Sequence, residues 1–197
     1  MQSTREYGTR NKSIQQFNTS TIQQQKKIIM KYLILLVGIL ATLDASAQKN
    51  LRVYVFVAEE CPISIYMASP LREAYRQFGE QADFYAVFPS SNSTEETAAA
   101  FLRDYELTDF AIKLDTDKTF CRKTGATVTP EVVITDATEK ILYRGRISNA
   151  YSAPGRMRHG RRINDLVNML TRIGQGEEIT PPWLPAVGCF ITFQKQG

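Results

Sequence analysis

The stretch LRVYVFVAEECPISIYMASP, residues 51–70, decides the fold, because a strand in it leads directly into a helix with a cysteine at the junction. Leu51–Ala58 is β-branched, aromatic and nearly uncharged, which predicts a strand buried on both faces. From Pro62 to about Phe78, apolar residues recur at three- and four-residue intervals, which predicts a helix that Pro70 should kink. Cys61 therefore lies at the amino end of that helix.

Cys61 is a candidate nucleophile. The unpaired backbone N–H groups and the dipole of a helix N-terminus stabilise a thiolate and lower its pKa. Pro62 suits the first helical turn, because the N–H that it lacks would have no partner there. Ser64 occupies the position where a dithiol redox enzyme carries its second cysteine, and Glu59 and Glu60 should raise the pKa of the thiol. The alternative is that Cys61 is a small buried apolar residue at the end of a core strand.

The rest of the chain alternates strands and helices. Ser93-Thr94-Glu95-Glu96 has the S-x-x-E form of a capping box and predicts a helix through about Tyr105. A short helix over 115–123 should end at Gly125, and the last helix should span 163–173 after an Arg-rich polar loop. Further strands are predicted at 82–88, 111–114, 131–135 and 141–147, the last two as a hairpin. This order predicts an α/β fold with a central mixed sheet and helices on both faces.

Thr129-Pro130 leads directly into the strand predicted from Glu131. Proline is tolerated at the first residue of a strand. An X-Pro bond in so tight an approach is a candidate for the cis isomer, the alternative being an ordinary trans turn proline.

Two units, strand–Cys-Pro–helix and Thr-Pro–strand–turn–strand–helix, together resemble the thioredoxin-like superfamily over roughly residues 51–173. Four motifs are similar to exported bacterial redoxin-domain proteins of the alkyl hydroperoxide reductase/thiol-specific antioxidant (AhpC/TSA, peroxiredoxin-like) type. They are CPIS at 61–64, GATVTPEVVITD at 125–136, YRGRI at 143–147 and GCFI at 188–191.

The resemblance implies a thioredoxin-like fold and a thiol-dependent oxidoreductase, thioredoxin-like or a weak peroxidase, acting in antioxidant defence and cell redox homeostasis. Cys61 would be the nucleophile, Pro130 the cis-proline facing it, and Thr129 the residue whose backbone pairs with an incoming thiol substrate. Pro62 and Ser64 would border that substrate. Peroxiredoxins carry a threonine three residues before the cysteine, where this chain has Ala58, so efficient peroxide reduction is not expected.

Cys189 is the candidate second thiol, because it lies on a Gly-flanked tail that could reach a sulfenic acid or mixed disulfide on Cys61. The alternatives for Cys189 are a static structural disulfide and an unpaired surface thiol. Cys121 is expected to be structural. Whether Cys61 pairs with Cys189, with Cys121 or with neither stays open from spacing alone. The tail residues expected to dock on the domain are Trp183, Leu184, Phe190 and Ile191.

Charge and composition exclude several other classes of site. Residues 48–197 hold 18 basic and 18 acidic residues, so net charge does not support nucleic-acid binding. Six arginines between 144 and 162 are typical of a solvated face, with Arg146 singled out because a guanidinium near the thiolate would offset Glu59 and Glu60. Three scattered cysteines and one histidine predict no metal site, and no cofactor is implied. Nucleotide-binding and serine-hydrolase motifs are missing from the sequence.

The amino-terminal part predicts export. Residues 30–47, preceded by two lysines, form a signal-peptide pattern with a 12-residue apolar core, Tyr32–Leu43, and an Ala45-Ser46-Ala47 ending. An uncleaved membrane anchor is the alternative, although a spanning helix needs about 20 residues. Residues 1–29 are expected to be disordered, or to precede a true start at Met30. We therefore expect a redoxin domain over 48–178 and a tail over 179–197, in the bacterial periplasm or outside the cell.

The sequence thus predicts an exported thiol–disulfide oxidoreductase or slow peroxidase in which Cys61 is the nucleophile and Cys189 resolves it. Its partners would be a thiol/disulfide protein substrate or a peroxide, and a separate thiol reductant. The alternative is a non-enzymatic module that binds a peptide or protein in the groove at Pro130. A copper-handling role is weaker, because the chain lacks a C-x-x-x-C pair. An exposed Cys61 near Pro130 would favour the enzyme, and a buried one the module.

Overall fold

The computed structural model describes residues 50–193, together with residues 24, 26, 27 and 29–31. The chain divides into two units, Met1–Ala47 and Gln48–Gly197. In the first unit the described residues are helical and exposed. Most of the predicted signal segment lies outside the described residues, so it stays a prediction. Within the described part of the chain, no helix is long and apolar enough to cross a bilayer.

A five-stranded mixed sheet forms the centre of the second unit. Its strands are β1 Leu51–Phe56, β2 Ala82–Phe88, β3 Ala111–Leu114, β5 Glu131–Asp136 and β6 Ile141–Gly145, and their order in the sheet is β3-β2-β1-β5-β6. β1 pairs parallel with β2 from Leu51↔Ala82 to Phe56↔Val87, and antiparallel with β5 from Leu51↔Asp136 to Phe56↔Glu131. The middle position of β1 explains its nearly uncharged sequence, since both of its faces are covered. The predicted fold class is confirmed.

Helices cover both faces of this sheet, as predicted. Val53 and Val55 of β1 belong to one core cluster, with Leu71 of the first helix and Leu170 of the last, whereas Phe56 belongs to a second cluster. This division follows from the alternation of side chains along a strand. The second cluster also contains Cys121 of the third helix and Ile191 of the tail. The helices are α1 Pro62–Phe78, α2 Glu95–Asp104, α3 Thr119–Thr124 and α4 Asp165–Gly174.

Short strands outside the main sheet change two predictions. The Arg-rich segment predicted as a loop contains the hairpin of β7 Tyr151–Ala153 and β8 Arg156–Met157. The carboxy-terminal tail contains β9 Cys189–Phe190, which pairs antiparallel with β4 Val128–Thr129.

The capping box of α2 lies one residue later than predicted. Thr94 is the N-cap and exchanges hydrogen bonds with Thr97, whereas the Ser93 hydroxyl donates to the Glu59 carboxylate (3.0 Å). The prediction of Ser93 as the cap was therefore wrong, because Thr97 serves as well as a glutamate at the third helical position. This arrangement holds the Glu59 side chain against the start of α2.

Asp115 stabilises α3, which precedes the loop that carries Pro130. Its two carboxylate oxygens accept from the Phe120 and Cys121 amides, both at 2.8 Å, and its side chain is buried. Gly125 ends the helix in the left-handed conformation (φ 74°).

We expect Asp115→Ala to lower the free energy of unfolding by about 1–3 kcal/mol, because two amides of a buried helix start lose a charged acceptor. Urea unfolding would measure the loss, with the exposed Asp109→Ala as the matched control. Equal stability of the two variants would show that Asp115 does not hold this helix.

Candidate functional site

Cys61 lies in the short loop between β1 and α1, and it is the N-cap residue of that helix. Its amide donates to Ala58 O (3.1 Å), and its carbonyl accepts from the Ile65 amide (3.1 Å). These bonds fix the sulfur at the amino end of a 17-residue helix. The residue is only 3% exposed.

The Thr129–Pro130 peptide bond is cis, as predicted, and faces this thiol. The Cys61 thiol, when protonated, donates to Thr129 O (3.4 Å). The loop before Pro130 is held by Glu131, whose carboxylate accepts from the Thr127 amide (2.8 Å) and pairs with the Arg144 guanidinium (3.5 Å). Burial raises the pKa of Glu131. The cis-proline loop is thus fixed by a buried, paired carboxyl group.

The tail docks on this loop by backbone pairing. Thr129 pairs with Cys189 and Val128 with Phe190, and the Ile191 amide donates to Thr127 O (2.9 Å). Gly188 packs so closely on the Thr129–Pro130 peptide that a Cβ there would overlap the Thr129 carbonyl.

A second contact anchors the tail upstream of β9. The Arg146 amide donates to Leu184 O (3.0 Å), and the Arg144 guanidinium lies over the Trp183 ring (5.7 Å to the centroid). Leu184, Trp183 and Ile191 therefore dock as predicted. Phe190 does not, since it is 84% exposed.

The docked tail places Cys189 Sγ 2.9 Å from Cys61 Sγ. The two cysteines are 128 positions apart in the sequence. The helix start and the paired tail together bring their sulfurs to this distance. A disulfide has an S–S bond of about 2.05 Å, so less than 1 Å of movement separates this dithiol from a bridge. Cys189 is exposed, in contrast to Cys61.

The pKa values of the two thiols are shifted in opposite directions. Burial raises the pKa of Cys61, but hydrogen bonds from Cys189, from the Ser64 amide and hydroxyl and from the Ile63 amide outweigh it, so the pKa falls below its usual value. The hydrogen bond to Cys61 and then burial raise the pKa of Cys189 to about 11. Cys61 is therefore the more acidic thiol of the pair, and as a thiolate it would accept the hydrogen bond from Cys189.

Glu59 and Glu60 were predicted to raise the pKa of Cys61, but neither is among the largest influences on it, and the net shift is downward. The Glu59 carboxylate accepts from the hydroxyls of Ser93 and Thr97, both at 3.0 Å. Arg146, singled out as a cation that could offset them, is itself paired with a carboxylate. Its guanidinium donates to Asp165 (2.7 Å), and both side chains are largely buried.

The remaining predicted residues differ in burial. Ser64 is fully buried, and its hydroxyl accepts from the Ala58 amide (3.3 Å). Pro62 is exposed at the first helical position. Cys121 is fully buried in the second core cluster, where burial strongly raises its pKa, so it stays apart from the other two sulfurs.

The sequence analysis did not identify three features that hold the site in place: the close packing of Gly188, the Glu131–Arg144 pair and Asp115. The Gly-Cys dipeptide of the tail offered a hint of close packing, since glycine before a reactive residue permits near approach of two backbones. No pattern in the sequence pointed to Glu131 or Asp115, because their partners are backbone amides. Within the described residues, no group of three or more His, Cys, Asp or Glu could hold a metal ion.

We expect Gly188→Ala to slow formation of a Cys61–Cys189 disulfide roughly tenfold or more, because the added methyl meets backbone atoms that cannot move aside. The rate can be followed by non-reducing peptide mapping after addition of a mild oxidant. Gly174→Ala is the matched control, since a Cβ there meets nothing within 4 Å. Identical rates for the two variants would refute the close docking of Gly188.

Comparison with solved structures identifies the same fold elsewhere. A hypothetical protein from Sinorhizobium meliloti 1021 gives a TM-score of 0.62 at 17% identity, over 78% of this chain and 85% of that chain. An uncharacterized conserved protein from Geobacillus kaustophilus gives 0.63 at 17% identity, over 79% and 83%. The thioredoxin domain of a thiol-disulfide oxidoreductase from Bacteroides vulgatus gives 0.48 at 15% identity, over 64% and 81%.

No protein-family profile matches the chain, and no curated protein sequence matches it. At the identities of the solved structures, the likeness concerns the fold alone. The structure combines a strand–Cys–helix unit, a cis-proline loop in contact with the cysteine, and a closing hairpin with a helix. The chain has a thioredoxin-like fold, with its own tail strand paired to the cis-proline loop.

Proposed function

We propose that the protein is a thiol–disulfide oxidoreductase in which Cys61 is the nucleophile and Cys189 is its partner thiol. The observation that carries the proposal is the 2.9 Å contact between the two sulfurs, made by a tail that backbone pairing holds in place. The lowered pKa of Cys61 supports its assignment as the attacking thiolate.

The exchange balances without a cofactor. A substrate disulfide R–S–S–R′ takes up two electrons and leaves as one thiol and one thiolate, while Cys61 and Cys189 lose two electrons and form a disulfide. The Cys61 thiolate makes the new bond to sulfur, and the proton on Cys189 goes to a departing thiolate. A separate thiol reductant then restores the dithiol.

The same pair could reduce a peroxide slowly. The Cys61 thiolate would take an oxygen atom from ROOH, giving a sulfenic acid and ROH, and Cys189 would condense with the sulfenic acid and release water. Ala58 offers no hydroxyl at the position where the resembled peroxiredoxins carry a threonine. We therefore propose peroxide reduction as a secondary activity.

The burial of Cys61 favours a second candidate function. A residue that is only 3% exposed is hard for a substrate to reach, which points to a binding module that uses the groove at Pro130. In such a module, the tail strand would have to leave Thr129 before a peptide or protein partner could pair there. The two functions differ in whether Cys61 and Cys189 are repeatedly oxidised and reduced.

Turnover is tested with a disulfide-bonded peptide substrate and four proteins: the unaltered chain, Cys61→Ser, Cys189→Ser and Cys121→Ala. We expect exchange to vanish in Cys61→Ser and a mixed disulfide to accumulate in Cys189→Ser, because no second thiol resolves it. Cys121→Ala should retain exchange, since Cys121 is buried away from the pair. If all four proteins are equally inactive and form no Cys61–Cys189 bond, the binding module is the better account.

The two pKa shifts should depend on each other. We expect Cys189→Ala to raise the pKa of Cys61, which loses a hydrogen-bond donor, and Cys61→Ser to bring the pKa of Cys189 down from about 11. In the unaltered chain, alkylation of Cys61 should therefore begin at a lower pH than that of a free cysteine. Thiolate absorbance against pH measures both values, in a Cys121→Ala background. Unchanged pKa values in the single variants would contradict a hydrogen bond between the two thiols.

We also propose that the chain is exported to the bacterial periplasm or beyond, which suits a reversible disulfide. The signal-peptide pattern of residues 30–47 supports this. Sequencing the exported form should give Gln48 as its first residue, and an intact leader would contradict cleavage.

A further inference from the structure

The oxidised pair presents its two sulfurs to the outside unequally. Cys61 is 3% exposed beneath Thr129 and the tail, whereas Cys189 is exposed. Since closing the bond requires less than 1 Å of sulfur movement, the tail has no need to leave its place when the disulfide forms. The same difference in access therefore holds for the oxidised chain.

A surface cavity of about 330 Å³ opens beside Cys189. Its lining includes Cys189 but not Cys61. The rest of the lining comes from the loop between β1 and α1, the loop after β2, the residue before α3, the cis-proline loop and the tail, and it includes Lys118, Thr129 and Phe190. A thiol in this cavity reaches Cys189 without displacing the tail.

Two further properties suit this cavity to an incoming thiolate. Lys118 is its one charged lining residue among those described, and an ammonium group favours the approach of an anion. Phe190, 84% exposed, offers an apolar contact directly after Cys189.

We propose that the thiol reductant of the oxidised protein attacks Cys189, not Cys61, and that the mixed disulfide with the reductant is carried by the tail. This inference rests on the proposed function. It assigns the two partners of the cycle to different sulfurs, because the tail covers Cys61 whenever the disulfide is closed.

The step is a balanced exchange. The thiolate R–S⁻ forms a bond to Cys189 Sγ, the Cys61–Cys189 bond breaks, and Cys61 leaves as a thiolate. A second thiolate then attacks the sulfur of R, releasing Cys189 and the oxidised product R–S–S–R. Two electrons pass from two thiols to the protein. The lowered pKa of Cys61 makes it the better leaving group of the pair.

The test uses the full chain, oxidised to the Cys61–Cys189 disulfide as verified by non-reducing peptide mapping. Brief exposure to 2-mercaptoethanesulfonate, acid quenching and maleimide blocking would be followed by mapping of both labels. We expect the sulfonate adduct on Cys189 and maleimide on Cys61, in at least about tenfold excess over the reverse pattern. An adduct mainly on Cys61 would overturn the inference and leave the proposed function standing. A chain that never forms the disulfide would overturn both.

Two matched comparisons separate access from general reactivity. Gly188→Ala, which loosens the tail, should shift adducts toward Cys61, and Gly174→Ala should not. Lys118→Gln should slow reduction about threefold at low salt and less at high salt, whereas the exposed Lys140→Gln should leave the rate unchanged. An unshifted pattern in Gly188→Ala would show that burial by the tail does not direct the attack.

A single-cysteine peptide, used in parallel with 2-mercaptoethanesulfonate, distinguishes the two sources of the thiolate. Faster reduction by the peptide at equal thiolate concentration would identify a polypeptide reductant that uses Phe190. Equal rates would identify a small thiol. In either case we expect the adduct on Cys189.

Discussion

The backbone pairing of Cys189 with Thr129, directly before the cis-proline, is the contact on which the proposed chemistry depends. A two-residue strand is weak by itself, so its neighbours matter: the Ile191 amide on Thr127 O, the Arg146 amide on Leu184 O, and Gly188 against the cis peptide. Together these contacts hold Cys189 in a defined position in the folded chain. A thiol held at 2.9 Å reacts as an intramolecular partner, with the large effective concentration that such placement gives.

The same docking links stability, reactivity and access. The buried Glu131 carboxyl fixes the loop that the tail pairs with, and Arg144 connects that carboxyl to Trp183 of the tail. Cys61 is stabilised as a thiolate by the helix start and by Cys189, yet it is covered by the tail that supplies Cys189. The chain's own tail thus pairs with Thr129, the residue that we predicted would pair with an extended substrate. Exchange at Cys61 therefore depends on movement of the tail, and exchange at Cys189 does not.

Much of the fold was predictable because its signals are local. The nearly uncharged run of β1, the helical period after Pro62 and the Gly125 stop each depend on neighbouring residues. Cys61 was predicted from its place at the helix start, Cys189 from its Gly-flanked tail, and Pro130 from the Thr-Pro dipeptide and the resemblance. What could not be predicted involves distant or backbone partners. Arg146 pairs with Asp165, Glu59 binds hydroxyls of α2, and Glu131 binds amides, none of which spacing along the chain reveals. The exposure of Phe190 was missed because pairing of the alternating tail residues decides which of them faces inward.

Hydrogen exchange at the Ile191 amide in the fully reduced chain tests most directly whether the tail docks without a covalent bond. That amide donates to Thr127 O only while β9 is paired to the cis-proline loop. We predict exchange at least roughly tenfold slower than in an unstructured peptide. Exchange at the unstructured rate in the reduced chain, with protection gained only after oxidation, would contradict the account, because the disulfide would then be the cause of docking and not its result.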